Sequence, residues 1–430
     1  MKYSKTLSTV ALSALLLLGM TGCDDNDTVY VPVENCTPEE KPPVNEKPPI
    51  DEVATISPYQ RVAIIPGTWA DVNDIAMKIA QMAIYSDESE TLNYPTNWVI
   101  AGANLGGGET DDGLDDLLPI PAIGGKSRVV EFCNKAYATA AIATGKFHGS
   151  ALPCEVSVHS DGENVYVDML DAEAIFNIFF TDAQQNSTPE ENAQFAQLAS
   201  DVKSELIGMI KAGLEDNNGN SGAAAVSYTE STLAMGPKFT QEKIDNDISL
   251  RNPYIIYKYT GNGSGNGGAF TIGDANTLAE EIIAKLGDDT ATADTNVPGV
   301  SKDSAWRSGR HEPIAIPGVK VVEACSPKYA KKATALGNEY ITALPCEITV
   351  YVDETDPTGQ TLAISFLNPS FMFGTMFEGA VEKAYMNGDL SRDEVIEYST
   401  LADVVFADLR LIVDAAVQDS TLGLAIPHTP

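Results

Sequence analysis

The sequence is poor in basic residues, histidine and cysteine. Lysine and arginine number 27 against 61 aspartates and glutamates, which gives the 430 residues a net charge of −34. A surface this negative repels a phosphate backbone, so the composition argues against a nucleic-acid partner. Six cysteines are too few for a disulfide-dense miniature scaffold, whereas an apolar content of 43% suffices for sizeable hydrophobic cores.

Motifs for metal binding and nucleophilic catalysis are missing as well. The four histidines (His148, His159, His311 and His428) form no His-x-x-x-His pair, and the chain has no Cys-x-x-Cys. No Gly-x-Ser-x-Gly nucleophile motif occurs. We therefore expect surface histidines, no metal, no cofactor and no catalytic residue.

Two polar stretches resemble binding loops without matching one. The Gly-rich stretch 261–268 lacks the Gly-Lys-Ser/Thr of a phosphate loop, and we expect a flexible hairpin tip there. The acidic run 111–116 lacks the spacing of a calcium loop, so a solvated loop is favoured.

The N-terminus has the features of an exported lipoprotein. Lys2 and Lys5 precede an apolar run over 7–20, which is short for a membrane span and typical of a secretory signal. The run ends in Met-Thr-Gly-Cys at 20–23, which resembles a bacterial lipobox. The alternative is an ordinary signal peptide that happens to end near a cysteine.

A functional lipobox predicts both the maturation and the location of the protein. Cleavage removes residues 1–22, and the acylated Cys23 becomes the N-terminus and anchors the chain to a membrane, facing the periplasm. Asp24 favours the inner membrane. Residues 23–57 are rich in proline and acidic residues, which predicts a disordered tether. Cys36, within the tether, is either free or paired between molecules.

The most informative feature is an internal repeat. Residues 129–155 and 321–347, at an offset of 192, are identical at 14 of 27 positions without gaps. Chance would give one or two identities, so the chain contains a duplicated domain. We place the first copy at 58–240 and the second at 245–430.

The sequence patterns of the two copies predict the same order of helices and strands. A strand and a helix come first, the Leu-Pro-Cys motif leads into a hairpin of alternating apolar residues, and a long amphipathic helix closes the copy. Thr188 and Ser391, each with Glu three residues later, form capping boxes at the start of the long helices. The predicted fold class is α+β, with two tandem copies of a mostly antiparallel sheet and helices packed on one face.

The repeated block resembles the domain of unknown function 302 family (DUF302). The resemblance rests on Cys-Ser-Pro-Lys at 325–328 and Leu-Pro-Cys at 344–346; the first copy, with Cys-Asn-Lys-Ala at 133–136, lacks the proline. The resemblance implies a curved sheet gripped by a long helix. It implies no activity, since none is settled for the family and a fold supports many functions.

The four repeat cysteines are the sharpest candidates for chemistry. In each copy 20 residues separate the pair, Cys133 with Cys154 and Cys325 with Cys346. In an oxidising compartment the favoured interpretation is a structural disulfide, worth about 3 kcal/mol for a loop of this size. The alternatives are a pair that cycles between thiol and disulfide or carries sulfur, and reduced buried thiols.

Duplicated carboxylates lie beside the cysteines. Glu131 and Glu323 correspond, as do Glu155 and Glu347. They could act as an acid and base pair, but charges at strand ends on the solvent face are favoured.

These observations predict a non-catalytic, membrane-anchored binding protein. Its partner would be a small apolar ligand between helix and sheet, or another envelope protein. The alternative is a thiol-redox or sulfur-handling protein that uses the paired cysteines, and a third possibility is a structural envelope component.

Overall fold

Two sheets of antiparallel strands organise the chain, whose structure is a computed structural model. The structure describes residues 57–83, 98–103, 127–152, 154–215, 226–233, 246, 252–287, 297–308, 313–343 and 346–425. Cys23, Cys36, the acidic run 111–116 and both Leu-Pro-Cys prolines lie outside these residues.

The described part of the first half contains six strands and five α-helices. The strands are β1 (Tyr59–Pro66), β2 (Trp98–Ala103), β3 (Ser127–Asn134), β4 (Cys154–Ser160), β5 (Asn164–Leu170) and β6 (Ser227–Thr232). The helices are α1 (Val72–Ala80), α2 (Lys135–Ile142), α3 (Ala172–Phe179), α4 (Thr181–Asn186) and α5 (Pro189–Glu215). A first 3₁₀ segment, Lys146–Ala151, connects α2 to β4.

The second half repeats this pattern. Its strands are β7 (Tyr254–Thr260), β8 (Ile314–Ile316), β9 (Val319–Ala324), β10 (Cys346–Val352) and β11 (Thr361–Leu367). Its helices are α6 (Ile272–Leu286), α7 (Pro327–Leu336), α8 (Pro369–Met372), α9 (Glu378–Asn387) and α10 (Arg392–Asp419). A second 3₁₀ segment, Asn338–Ala343, precedes β10, and a π-helical turn, Phe373–Phe377, joins α8 to α9.

The two sheets share one strand order, as the duplication predicts. The first runs β2-β3-β4-β5-β1-β6 and the second β7-β11-β10-β9-β8, so β3-β4-β5-β1 corresponds to β9-β10-β11-β7. The register repeats as well, because Glu131 pairs with Glu155 and Glu323 pairs with Glu347. The predicted α+β class is confirmed. The sheets differ at their edges, where β2 and β6 extend the first and β8 extends the second.

Helices cover one face of each sheet and enclose a separate core there. In the first half α1 and α5 pack over residues such as Val130, Val156 and Val167. In the second half α6 and α10 pack over the side chains that include Val322 and Ile364. Each long helix buries a stripe at helical spacing, so its stability comes from the sheet beneath it.

Both predicted capping boxes are present. The Thr188 hydroxyl accepts a hydrogen bond from the backbone N–H of Glu191, whose carboxylate accepts one from the N–H of Thr188. Ser391 and Glu394 make the same exchange at the start of α10. The caps satisfy backbone donors that a helix leaves free at its N-terminus, which explains why the long helices begin there.

The other face of each sheet is covered by the opposite half. The first 3₁₀ segment packs on β7, β9, β10 and β11, and the second packs on β1, β3, β4 and β5. At Gly149 the approach is so close that a Cβ would lie 2.8 Å from Thr349 Cγ2. The exchange is reciprocal, like the isologous interface of a symmetric dimer. Glu52–Pro430 accordingly forms one compact unit.

Two buried tyrosines fix the contact between the halves. The Tyr59 hydroxyl donates to the carbonyl of Met376 at 3.1 Å, and the Tyr254 hydroxyl donates to the carbonyl of Phe179 at 2.8 Å. Tyr59 and Tyr254 occupy equivalent places at the start of β1 and β7. A tyrosine of each half therefore donates an equivalent hydrogen bond to a backbone carbonyl of the other half, and the two bonds help to fix the relative position of the halves.

The prediction of a hairpin tip at 261–268 is wrong. This stretch joins β7 to α6, and its Ser264 hydroxyl and N–H donate to the carboxylate of Asp274. A Cβ at Gly263 would lie 2.2 Å from the carbonyl oxygen of Ala269, so the connection needs glycine there. Within the described ranges, no helix is both long and apolar enough to cross a membrane.

Candidate functional site

The four repeat cysteines are free thiols, so the expected Cys133–Cys154 and Cys325–Cys346 disulfides are not formed. Strand register explains the difference. Cys154 pairs with Phe132 across β3 and β4, and the second copy has the same register. The two cysteines of each pair are therefore offset by one residue across the strands instead of lying directly opposite each other, although they are close enough for Cys133 to act on Cys154 and for Cys346 to act on Cys325.

Burial raises the pKa of all four thiols. It raises the pKa of Cys133 and of Cys346 to about 12. Burial is also the largest cause of the raised pKa of Cys154 and Cys325, and a neighbouring glutamate is the next. Because the thiolate is the reactive form, these thiols are poor nucleophiles, which disfavours the redox alternative.

The four duplicated glutamates are buried, not on the solvent face as predicted. Glu131, Glu155, Glu323 and Glu347 are between 0% and 5% exposed. They alternate with the strand residues that enter the helix-side cores, so their side chains lie on the faces turned toward the opposite half. The negative charge of Glu323 acts on Glu155, and the other three glutamates all act on Glu347.

This convergence changes the acidity of the central pair. Burial, followed by repulsion from the neighbouring glutamates, raises the pKa of Glu155 and Glu347 well above the ordinary 4.5. The Oε1 atom of Glu347 has no hydrogen-bond partner within the described residues. The site therefore favours neutral carboxyl groups, unlike a solvent-exposed glutamate.

A charged cluster lies on the same face of the first sheet. Asp168 is fully buried and accepts hydrogen bonds from Arg61 at 2.8 and 3.0 Å and from His159 Nε2 at 2.7 Å. Burial alone would raise the pKa of Asp168, but the bonds from His159 and Arg61 outweigh it and hold the pKa below 3.8. His159 is 4% exposed, so the expectation of a surface histidine is wrong here.

His148 is buried as well, again contrary to expectation. Its ring lies between the halves, 4.5 Å from the Phe180 ring and 5.3 Å from the Tyr254 ring. Nδ1 lies 2.8 Å from Thr144 Oγ1, and Nε2 lies 3.0 Å from Asp182 Oδ1. These contacts make His148 a structural residue of the interface. His311 and His428 lie outside the described residues.

The structure shows a duplicated cluster of Trp, Tyr and carboxylate that the sequence argument missed. In the first half the Trp98 indole N–H and the Tyr137 hydroxyl donate to the two oxygens of Glu205, at 2.9 and 2.6 Å. The two rings meet edge to face, 6.1 Å apart. The cluster ties β2 and α2 to the long helix α5.

The second half repeats this cluster with aspartate. The Trp306 indole N–H and the Tyr329 hydroxyl both donate to Asp408 Oδ2 at 2.9 Å, and Ser304 donates to the same oxygen at 3.1 Å. Burial and the bond to Asp408 raise the pKa of Tyr329 to about 12. Tyr137 and Tyr329 are identical at the offset of 192, and this was the signal available in the sequence.

A cavity of about 100 Å³ lies beside this second cluster. It lies between α7, α8, α10 and the end of the sheet where β9 ends and β10 begins. Its lining is almost entirely apolar and includes Trp306, Tyr329, Leu401 and Ala402, together with the thiols of Cys325 and Cys346. All of its lining residues belong to the second half.

Aromatic rings lie at the equivalent place in the first half. Phe176 stacks on Phe180 at 4.7 Å, and both pack against Phe195, at 4.9 and 5.4 Å. Phe195 begins the apolar stripe of α5 at the place that Tyr398 takes in α10. Phe176 and Phe180 correspond to Phe373 and Phe377, which line the cavity of the second half, so both copies place aromatic rings here.

A smaller cavity of about 50 Å³ lies between the halves. Equivalent residues of both copies line it, namely Ala151 with Ala343, Glu155 with Glu347, and Leu170 with Leu367. It thus straddles the approximate two-fold axis that relates the copies. Among the residues the structure describes, no group of three or more His, Cys, Asp or Glu could hold a metal ion.

Comparison with known families agrees with the repeat. The family model "Domain of unknown function DUF302" matches residues 123–212 and 305–389. The chain therefore contains two regions that match DUF302, at the places where its motifs predicted them. No curated protein matches it.

Two solved structures are similar to this chain. The crystal structure of an uncharacterized conserved DUF302 protein from Bacillus stearothermophilus is 14% identical, with a TM-score of 0.24, over 36% of this chain and 98% of that one. The structure of DynU16, from the dynemicin biosynthetic locus, is 10% identical, with a TM-score of 0.16, over 84% of this chain and 100% of that one.

Proposed function

We propose that this chain is a non-catalytic binding protein that takes a small apolar ligand in the cavity of its second half. The cavity itself is the observation that carries the proposal. A closely packed interior leaves few spaces larger than a water molecule, and an apolar cavity of this order can hold a molecule the size of benzene. The corresponding residues of the first copy line only the smaller cavity of about 50 Å³, so the larger space belongs to the second copy.

The polar groups around the cavity favour an apolar occupant. The Trp306 indole N–H and the Tyr329 hydroxyl already donate to Asp408, so both donors in the cavity wall are used within the protein. The thiols of Cys325 and Cys346 are held neutral by burial. Binding would therefore be driven by removal of apolar surface from water.

Filling the cavity with a side chain should abolish binding. Ala402 is 8% exposed and lines the cavity, so Ala402→Leu places added methyl groups in the ligand's space. We expect the affinity for an apolar probe of matching size, benzene, to fall by roughly tenfold or more. Calorimetric titration of purified protein with benzene measures the effect.

The same helix supplies a matched control. Ala407 is exposed on α10, so Ala407→Leu adds the same atoms outside the cavity and should leave probe affinity unchanged. Equal affinities in Ala402→Leu, Ala407→Leu and the unsubstituted protein would contradict the proposal. Circular dichroism spectra of both variants show whether the fold is retained.

We further propose that Cys23 is lipidated and that the mature chain is anchored to a membrane, facing the periplasm. The lipobox-like residues 20–23 and the proline-rich segment that follows support this, and Asp24 favours the inner membrane. The anchor would hold the ligand-binding halves near the membrane surface.

Replacing the lipidated residue tests the anchor. Cys23→Ser removes the acyl acceptor, so the chain should move from the membrane fraction to the soluble fraction or accumulate as an uncleaved precursor. Cys36→Ser is the matched control and should leave fractionation unchanged. A wild-type chain that is soluble and lacks acyl groups by mass spectrometry would refute lipidation.

A further inference from the structure

The cavity between the halves differs from the cavity of the second half, called the first cavity below, because two carboxyl groups lie in its wall. Glu155 and Glu347 occupy equivalent strand positions and reach it from opposite halves. We propose that this cavity is a second binding site, specific for a small protonated amine whose ammonium group donates hydrogen bonds to both carboxyl groups, one of which ionises on binding.

An unsatisfied acceptor already points to a ligand with donors. Glu347 is 3% exposed, lines the cavity, and its Oε1 atom has no hydrogen-bond partner within the described residues. A buried acceptor without a partner costs free energy that a bound donor recovers. An ammonium group supplies N–H donors and, unlike a metal ion, does not need three or more protein ligands.

The rest of the wall suits a short alkyl chain. Phe176, Phe179, Met372 and Met376 contribute aromatic and thioether surfaces. Aromatic faces attract cations, and methionine side chains adapt to small apolar groups. A volume of about 50 Å³ holds roughly four waters, which limits the occupant to a few heavy atoms.

Charge favours a cation both at a distance and in the site. The net charge of −34 raises the local concentration of cations around the protein. The negative charges of Glu155, Glu131 and Glu323 all act on Glu347, and Cys154 lies in the same cavity wall. When the ammonium binds, a neutral carboxyl group ionises and its proton passes to solvent, so binding and proton release are coupled.

Calorimetry with a matched pair of probes tests the proposal. The full chain is titrated with n-propylammonium and with 1-propanol, which has a similar shape without the charge. We expect saturable binding of the amine with release of protons, seen as a dependence of the heat on the ionisation enthalpy of the buffer. The affinity for 1-propanol should be at least roughly tenfold lower than the affinity for the amine, because a neutral hydroxyl forms weaker hydrogen bonds to carboxylates.

Isosteric variants assign the binding to the carboxyl pair. Glu347→Gln and Glu155→Gln each remove one charge at constant shape, and each should weaken amine binding by roughly tenfold or more. The exposed Glu354→Gln is the surface control and should bind like the unsubstituted protein. Ala402→Leu fills the first cavity only, so it should keep amine affinity while losing the apolar probe.

Three results would overturn the inference. They are no saturable binding of n-propylammonium, equal binding of 1-propanol, and unchanged amine affinity in both glutamine variants. Two glutamine variants are used so that misfolding of one leaves the other informative. Ala402 lines the first cavity only, and Glu155 and Glu347 line the second only, so the variants assign each binding event to its cavity. Failure of the amine proposal therefore leaves the proposed function standing, and failure of the proposed function leaves the amine site standing.

Discussion

Asp168→Asn should unfold far more easily than the unsubstituted protein at neutral pH. The substitution keeps the shape of a fully buried side chain but removes the charge that pairs with Arg61. Breaking a buried ion pair from one side costs roughly 3–5 kcal/mol. The Arg61 side chain keeps 18% of its exposure, so we expect a loss of about 3 kcal/mol in the free energy of unfolding.

The pH dependence of this loss has a definite sign. The pKa of Asp168 lies below its ordinary 3.8 in the folded state, so its charge stabilises the fold above pH 3.8. This contribution disappears as the pH falls through the folded pKa. The difference between Asp168→Asn and the unsubstituted protein should therefore be largest near pH 7 and should shrink below pH 3.8. Urea unfolding at a series of pH values measures it.

A surface pair in the same half provides the control. Asp74 pairs with Lys78 one helical turn away in α1, and its side chain is 65% exposed. Asp74→Asn should change the free energy of unfolding by less than about 1 kcal/mol. A loss at Asp168 no larger than the loss at Asp74 would show that the Arg61–Asp168–His159 cluster does not stabilise the fold.

The secondary structure of both copies was readable from the sequence. Alternation of apolar residues located the hairpins, and the capping boxes at Thr188 and Ser391 located the first turns of the long helices. These signals are local, since they depend on residues within one element. The offset of 192 then implied that the second sheet would repeat the first.

The wrong predictions for the buried glutamates and histidines have a different cause, the contact between the copies. The sequence shows that a strand has two faces, but not that the second face is buried by another half of the same chain. Glu131 and His159 therefore looked like solvent-facing residues, and both are buried. The predicted disulfides are not formed because a spacing of 20 residues brings Cys133 near Cys154 without fixing the register of the two strands, which pairs Cys154 with Phe132.

The interface also explains where the copies have diverged. Residues that carry the symmetric contacts are kept, such as Tyr59 with Tyr254 and the paired glutamates. Asp168 corresponds in register to Ser365, which exchanges a hydrogen bond with Ser150 from the first half. A charged cluster on one sheet and hydroxyl groups on the other make the two halves inequivalent.

Replacing the central glutamates should have the opposite effect to replacing Asp168. Glu155 and Glu347 have a pKa raised well above 4.5 in the folded state, first by burial and then by neighbouring negative charge. Their contribution to stability is complete below pH 4.5 and is lost as the pH rises toward the folded pKa, because only the unfolded chain releases those protons easily. Neutral pH therefore weakens the fold through these two groups.

The double variant Glu155→Gln/Glu347→Gln should be more stable than the unsubstituted protein at pH 7, by roughly 1–3 kcal/mol for each site. Glutamine keeps the shape of a protonated glutamate and cannot ionise, so the advantage should vanish below pH 4.5, where the carboxyl groups are neutral in both folded and unfolded chains. The difference in melting temperature between the double variant and the unsubstituted protein, measured from pH 4 to pH 8, should grow with pH. The side chain of Glu354 is 73% exposed, so Glu354→Gln should show no such growth with pH. A double variant that is less stable at pH 7 would mean that the carboxylates are ionised and paired in the folded protein. In that case the neutral carboxyl pair inferred between the halves would be wrong.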